Sequence, residues 1–326
     1  MTALALDLLQ LAEIKNALVA RIEAGLAKDG QEIKVLPAFL APPKEGLTGR
    51  ALAIDTGGTN LRAAVLEVSS QATRVIEGPI GATVPSGRDG TPVDRDAFFG
   101  VHADIVAKLK LARGLPIGFC FSYPSAVEPS LDARLISWTK GIDVEGVVGT
   151  LVGEGLVDAL KKRDLAPGRV TVLNDTVASL LAASSLTPAS SRTIGLIVGT
   201  GHNIASFFAG ERITKLSTQK VPVAHGVMAV NLESGNFHPP FLTPFDDAVD
   251  ARSDNHGRQR MEKAVSGFYL PQIFAAAMPG RIEAVLVPDT NRRSRLPSQT
   301  LKTRFLRAIP IAPRCKCTVF ATAFTG

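Results

Sequence analysis

Acids, amides and hydroxyls at the ends of apolar runs are where this sequence can do chemistry. In AIDTGGTNLRAAVLE (53–67) an apolar run enters the turn DTGGTN and an alternating run leaves it. Gly57 and Gly58 lack a Cβ, so the backbone there can take a positive φ and come close to a ligand. Successive N–H groups in such a turn form a concave nest that suits phosphate oxygens, with Thr59 and Asn60 adding side-chain donors. Asp55 would repel a bare phosphate but suits a Mg²⁺ that bridges to one, directly or through water. The missing GK[ST] and the missing following helix separate this turn from the Walker loop. Taken alone, Gly-Gly fits a plain tight hairpin as well. A second turn, Gly199-Thr200-Gly201, repeats the theme about 140 residues on. Two such grips suit one polyphosphate held from two sides.

Five further stretches carry polar residues at the ends of apolar segments. SYPS (122–125) follows LPIGFCF, and SWTKGID (137–143) holds the sole tryptophan. LNDTV (173–177) ends a short apolar run, VNLESGNF (230–237) places Glu233 after another, and GRQRMEK (257–263) adds Gln259 and Glu262. A sugar hydroxyl both donates and accepts, so carboxylates, amides and an ammonium such as Lys140 suit a polyol. A pocket so lined rejects an analogue lacking a hydroxyl, because its own polar groups would be left unpaired. Singly, each residue has a plainer reading. Asn174-Asp175 can cap a helix starting near Val177, Glu233 and Glu262 can be surface charges, and Lys140 can be a solvated turn residue.

These residues need elements to hold them. Leu and Ile at helical spacing predict an amphipathic helix over residues 4 to 25. The linker LPAFLAPPKEGLTG follows. Short apolar runs at Ala51–Asp55, Leu61–Val68 and Val75–Ile80 predict a strand meander. Asp96–Leu111, Gly153–Lys162 and Arg258–Ala277 have helical period, the last across Gly267. Pro116–Phe121, Val170–Leu173 and Thr193–Val198 read as strands, and VASLLAASSL as a small-residue helix. Two strand–turn–strand units of one kind imply an internally duplicated α/β architecture, and the lack of a shorter repeat excludes a solenoid.

The 326-residue length allows two domains or one large α/β unit. Hydrophobic residues at 45% and charged residues at 20% are those of an ordinary globular protein. No apolar run reaches 18 residues, so no membrane partner is expected. Cys120, Cys315 and Cys317 are too few and too scattered for a disulfide framework, which makes the cytoplasm the expected compartment. The formal charge of +6 comes from one end. Asn291–Gly326 holds eight Lys and Arg and no acid, and without it 28 basic residues face 30 acidic ones. A basic tail can attract nucleic acid, but no aromatic or motif pattern accompanies it, so none is expected to bind. The oligomeric state is not encoded in any pattern here.

Taken together and in this order, the stretches resemble the hexokinase family, the eukaryotic hexokinase and glucokinase type of sugar kinase within the actin-like ATPase superfamily. LAIDTGGTNLRAAV is similar to its first phosphate motif, and FSYPSAVEPSLDARLISWTKGIDVEGVVG to its sugar signature. VTVLNDTVASLLA resembles the catalytic-aspartate segment, and IGLIVGTGHNIA the second phosphate motif. VNLESGNF resembles the sugar-glutamate segment, and FDDAVDARSDNHGRQRMEKAVSGFYL the last stretch of the sugar pocket. The related bacterial repressor/kinase family shares the glycine turns but carries a Cys-rich zinc motif that is absent here. The likeness runs from about Leu36 to Leu270.

The resemblance implies a two-lobed actin-like ATPase (ribonuclease H-like) fold, each lobe a mixed β-sheet with flanking helices. Residues 50–174 would form the small lobe with the first phosphate turn. Residues 175–290 would form the large lobe, joined by the helix and linker of 1–49, and 291–326 an atypical basic tail. It implies ATP-dependent phosphorylation of a hexose, glucose first, at the 6-hydroxyl, with ATP and Mg²⁺ as cofactors. Asp175 is then the general base, and Ser122, Thr139, Lys140, Asn174, Asn203, Glu233, Gln259 and Glu262 contact the sugar. Gly57, Gly58, Thr59, Asn60 and Arg62 grip phosphates from one side, and Gly199, Thr200 and Gly201 from the other, while Asp55 positions Mg²⁺. The likeness stops near YLPQIF, before the Gly-rich adenosine-binding segment and closing helix that the family adds. The large lobe is therefore expected to be incomplete, and the tail to be a truncated or frame-shifted end that does not pack. The alternative function is a sugar-binding pseudo-kinase with little or no turnover.

Overall fold

Asp7 opens the first helix. Its carboxylate accepts the Gln10 N–H while the Gln10 side chain accepts the Asp7 N–H, a reciprocal cap. The computed structural model describes residues 5–43, 47–69, 72–87, 90–139, 142–186, 193–218, 226–277 and 319–320. Helix α1 spans Leu8–Ala27, later than the leucine spacing suggests. Its apolar face is used mainly toward the C-terminal end. Ile14, Leu18, Ile22 and Leu26 join Ile213, Leu216 and Met228 in one cluster, while Leu8 and Leu9 stay exposed.

After the short strand β1 (Leu36–Pro37) comes the meander that the apolar runs predict. Strands β2 (Gly49–Thr56), β3 (Asn60–Val68) and β4 (Thr73–Thr83) pair antiparallel. Each outruns its apolar segment because the backbone ladder continues through the polar ends. Pro79 sits in β4, an edge strand, the place in a sheet that tolerates a residue without an N–H. Helix α2 (Arg95–Val106) is capped by Asp94, whose Oδ1 accepts the Ala97 N–H at 2.7 Å. It stops short of Leu111 because the Glu77 carboxylate takes the N–H groups of Lys110 and Leu111 at 2.7 and 2.8 Å.

Strand β5 (Ile117–Phe121), the hairpin of β6 (Ser125–Val127) and β7 (Ala133–Leu135), helix α3 (Val152–Lys161) and strand β8 (Val170–Leu173) complete the first layer. Helix α3 has no cap of its own. Asp132 supplies one from the hairpin, accepting the Gly153 and Glu154 N–H groups at 2.7 and 2.9 Å. The sheet order is β4-β3-β2-β5-β8, with β2, β5 and β8 parallel. Phe98, Phe99, Leu156 and Leu160 of the helices share one buried cluster with Ile54, Phe119 and Phe121 of the sheet.

Helix α4 (Asp175–Leu186) leaves β8 and packs on a second sheet. Strands β9 (Ile194–Val198) and β10 (His202–Ala209) precede the one-turn helix α5 (Thr214–Thr218), and β11 (Val227–Asn231) follows. Helices α6 (Pro244–Asp250), α7 (Arg260–Val265) and α8 (Leu270–Ala277) come next, then β12 (Val319–Phe320). The second sheet runs β1-β11-β10-β9-β12. The protein is thus α/β, with two mixed sheets and flanking helices.

Two expectations change. The single helix expected over Arg258–Ala277 is two, because Ser266 is extended and the Gly267 N–H donates to the Gly199 carbonyl at 2.7 Å. A tertiary bond to the second glycine turn outweighs the local helical period. The C-terminal stretch expected not to pack contributes backbone to a sheet: Val319 and Phe320 pair in parallel with Ile194 and Gly195. The rest of the basic tail lies outside the described residues, as do Cys315 and Cys317. Among the described residues no helix is long and apolar enough to cross a membrane.

Candidate active site

Three parallel strands end together. The register sets Asp55 of β2 beside Cys120 of β5, and Cys120 beside Leu173 of β8. The residues that follow therefore emerge at one edge: the turn 57–60 after β2, Ser122 and Tyr123 after β5, Asn174 and Asp175 after β8. Open α/β sheets place ligands at such an edge. Arg62 pairs with Asp55 across β2 and β3, on the same face of the sheet. Burial, and then the charges of Asp55 and Asp175, push the Cys120 thiol well above its ordinary range, and it also bonds with Asp55 and Ser122. One thiol feeling both carboxylates puts Asp55, Ser122 and Asp175 on one patch.

The first glycine turn is closed by the Gly57 N–H donating to the Asn60 carbonyl at 3.0 Å and the Val84 N–H donating to the Thr59 carbonyl at 2.9 Å. The Tyr123 hydroxyl donates to the Gly57 carbonyl at 2.5 Å. Gly57 does not use the positive φ that its type suggests, and a Cβ there would meet the Asn60 oxygen at an ordinary 3.5 Å. What glycine supplies at 57 is a bare surface rather than an unusual backbone. Thr59 and Asn60 are exposed, and Gly58 is half-buried.

Helix α4 begins at Asp175, two residues ahead of Val177. Asn174 does cap it: its Oδ1 accepts the Thr176 N–H at 2.9 Å and its carbonyl accepts the Ala178 N–H at 2.9 Å. Asp175 Oδ1 accepts the Thr176 N–H at 2.8 Å and the Thr176 hydroxyl at 3.2 Å, which orients the carboxylate at the helix N-terminus, where the backbone dipole favours negative charge. Helix and second turn are brought close by Gly195, where a Cβ would lie 2.5 Å from the Thr176 carbonyl oxygen.

In the second turn the Gly199 N–H donates to the Gly201 carbonyl at 2.9 Å, and Gly199 and Thr200 are exposed. Gly201 lets a carboxylate come close. A Cβ there would lie 2.7 Å from Glu262 Oε2, which accepts the His202 N–H at 2.9 Å. Glu262 is therefore bound to the second turn. Burial pushes the His202 imidazole down to about 4.

Beside it lies a network of amides. Asn203 Nδ2 donates to Asn231 Oδ1 at 2.7 Å, and Asn203 Oδ1 accepts the Ser234 N–H at 3.2 Å. Asn231 Nδ2 donates to Glu233 Oε1 at 2.8 Å, while its Oδ1 accepts the Glu233 N–H at 3.2 Å. Glu233 and Gln259 both have left-handed backbones, with φ of 56° and 51°. Such strain in non-glycine residues gathers at functional sites. Gln259 Oε1 accepts from Asn255 Nδ2, and the loop holding both is fixed by a buried ion cluster. Lys263 Nζ donates to Asp250 Oδ1 at 2.5 Å, Ser253 Oγ at 2.7 Å and the Asn255 carbonyl at 3.0 Å, and Arg260 reaches Asp250 Oδ2 at 2.7 Å. Burial alone would raise the Asp250 carboxyl, but the bonds from Lys263, the Gly257 N–H and Arg260 outweigh it and lower it to about 2.

Asn174 and Asn231 line one small cavity with Tyr123 and Ser125, which links the two sheets' contributions. Thr139 is half-buried and its carbonyl accepts the Ile142 N–H at 3.2 Å; Lys140 lies outside the described residues. The sequence reading missed Asn231, Tyr123 and Asp250, because each acts on another site group.

No cluster of three or more His, Cys, Asp or Glu among the described residues forms an all-protein metal cage. Mg²⁺ is ordinarily held by one or two carboxylates with phosphate oxygens and water. Asp55, at the end of β2 beside Cys120 and the first glycine turn, is a carboxylate that fits this role.

Two hexokinase family models match the chain, over residues 1–185 and 193–321, a wider reach than the motifs at 36–270. Hexokinase-1 of Oryza sativa subsp. japonica is 34% identical over 281 residues, covering 81% of this chain and 55% of its own. Hexokinase-1 of Homo sapiens is 33% identical over 313 residues, covering 90% of this chain and 32% of its own. The chain thus spans about half the length of the rice relative and about a third of the human one. A solved hexokinase from Schistosoma mansoni, complexed with glucose, superposes with a TM-score of 0.71 at 28% identity, covering 84% of this chain and 63% of that one. With the strand ends, both glycine turns and the match over more than half its residues in agreement, the chain belongs to the hexokinase family.

Proposed function

We propose that the chain phosphorylates the 6-hydroxyl of a hexose, glucose before others, with ATP as donor and Asp175 as general base. The observation that carries this reading is the meeting of Asp55, Ser122 and Asp175 around one thiol at the ends of three parallel strands. Asp175 takes the proton from the hydroxyl as its oxygen attacks the γ-phosphorus in line, and ADP leaves. Ser122, Thr139, Lys140, Asn174, Asn203, Glu233, Gln259 and Glu262 bind the sugar hydroxyls. The amides of 57–60 with Arg62, and those of 199–201, orient the phosphates. Asp55 would hold Mg²⁺, which when bound neutralises phosphate charge. Positioning and charge neutralisation dominate such transfers. Lobes of 50–174 and of 1–49 with 175–290 would close over the sugar and exclude water. The cytoplasm is the proposed compartment, checked by fractionating cells that produce the chain.

A glucose-to-ADP coupled assay over several hexoses, run beside a glucose-binding titration, tests the reading. Turnover that Asp175→Ala lowers by about 10²- to 10⁴-fold is expected, with glucose binding retained. Near-normal kcat in that variant rejects Asp175 as base. Glucose binding without turnover in the unaltered chain rejects the kinase and leaves the sugar-binding pseudo-kinase.

A further inference from the structure

Thr56 is the last residue of β2, between Asp55 and the glycines of the first turn, yet its side chain cannot reach a ligand. It is fully buried, and a buried hydroxyl needs a partner. The partner is His102 on α2, whose Nε2 lies 2.9 Å from Thr56 Oγ1. His102 Nδ1 lies 2.9 Å from the Phe98 carbonyl oxygen, which can only accept, so Nδ1 carries the proton. Nε2 is then the acceptor and the Thr56 hydroxyl the donor. Both bonds have a fixed polarity, and they run from the backbone of α2 to the end of β2.

The imidazole has no room to turn. Phe98, Phe99 and Phe119 surround it at ring-centroid distances of 5.0, 5.7 and 5.7 Å, and it is fully buried. No charged group is among these neighbours. Burial pushes it down to about 4 against the opposing bond to the Phe98 carbonyl, so the ring is neutral near pH 7 and Nε2 is there an acceptor.

The same two turn residues are tied from the other side. The Thr56 carbonyl accepts the Ser122 N–H at 3.1 Å, and the Gly57 carbonyl accepts the Tyr123 hydroxyl at 2.5 Å. Residues 56 and 57 are thus fixed at three points: by α2 through a side chain, and by the segment after β5 twice. A turn that presents backbone amides to phosphate works best when those amides are already in place, since no reorganisation then opposes binding. We infer that His102 is a positioning residue for the first glycine turn: it sets the amides of 57–60 for a nucleotide's phosphates and leaves the sugar side alone. The nucleotide part of this inference rests on the kinase reading above; the part about the turn itself does not.

His102→Leu removes the acceptor and leaves the Thr56 hydroxyl buried and unpaired, a change that costs an equilibrium about tenfold or more. His102→Gln is the matching control, because its Oε1 can stand where Nε2 stood. Two measurements are made on the full chain: amide hydrogen exchange without ligand, and calorimetric titration with ATP–Mg²⁺ and, separately, with glucose. In His102→Leu, exchange should quicken at the Gly57 and Val84 amides while β5 and β8 keep their protection. ATP–Mg²⁺ should bind about tenfold more weakly and glucose within about twofold of the unaltered chain. His102→Gln should restore both. Exchange that quickens evenly over the sheet, glucose and ATP weakening alike, or failure of glutamine to rescue overturns the inference and makes His102 a plain core residue. If the unaltered chain binds no nucleotide, the kinase reading fails, while the exchange contrast still decides the role of His102.

Discussion

Glu233, a proposed sugar contact, owes little of its geometry to itself. Its left-handed backbone and its carboxylate are both held by Asn231, through the Glu233 N–H and through Oε1, and Asn231 also fixes Asn203. Removing Asn231 leaves three groups each short of a partner in a half-buried site. Asn231→Ala should therefore cost about 1–3 kcal/mol in hexose binding, read as glucose affinity falling by roughly 5- to 150-fold while ATP–Mg²⁺ affinity changes little. Glu233→Ala should show the same preference for sugar over nucleotide. Equal losses for both ligands in either variant would mean general damage and would withdraw the sugar role. The residue types of the candidate site stood out in the sequence because carboxylates, amides and glycines bunched at strand ends. Asn231 did not stand out, because its bonds go to Asn203 and Glu233 and no pattern in one sequence shows where a side-chain amide is aimed.

Between elements, the glycines sort into two kinds that the sequence could not separate. Gly195 has no space for a Cβ, which would meet the Thr176 carbonyl oxygen at 2.5 Å, whereas at Gly201 the near atom, Glu262 Oε2 at 2.7 Å, ends a side chain that can swing aside. Gly57 has an ordinary φ and room for a methyl group. Gly195→Ala should push α4 off β9, cost about 1–3 kcal/mol as other overpacked sites do, and lower kcat more than it weakens glucose binding, because Asp175 rides on the first turn of α4. Gly57→Ala should unfold within about 0.5 kcal/mol of the unaltered chain yet weaken ATP–Mg²⁺. Urea denaturation beside steady-state kinetics reads both. Stability loss in Gly57→Ala, or none in Gly195→Ala, would reverse this sorting. The strands themselves were largely visible beforehand, since alternation and turn residues bound them. The break at Gly267 was not, because helical period continues through it, while the Gly267 N–H bonds instead to the Gly199 carbonyl, far off in sequence.

For the molecule as a whole, acid should act in two steps, because among the described residues two buried imidazoles and a buried carboxylate respond to acid over different ranges. His102 and His202 are buried neutral, each lowered from 6.5 to about 4. An unfolded chain binds those protons near 6.5 and the folded chain does not, so stability is whole above that value and drains away as pH falls toward about 4. A shift of that size is worth roughly 3 kcal/mol for each imidazole when complete. Asp250 acts lower down. Held by Lys263, Gly257 and Arg260, its carboxyl is lowered from 3.8 to about 2, so its contribution stays whole above 3.8 and is lost only below. Domains of ordinary stability hold about 5–15 kcal/mol, so the first step alone should bring the chain near unfolding. Free energies from urea titrations near pH 7 and near pH 4.5 should therefore differ by several kcal/mol, and His102→Gln, which has no proton to take up, should remove about half of that difference. A profile that is flat over this interval would mean that these imidazoles are not buried as neutral groups, and with that the fixed donor and acceptor on either side of His102 would go too.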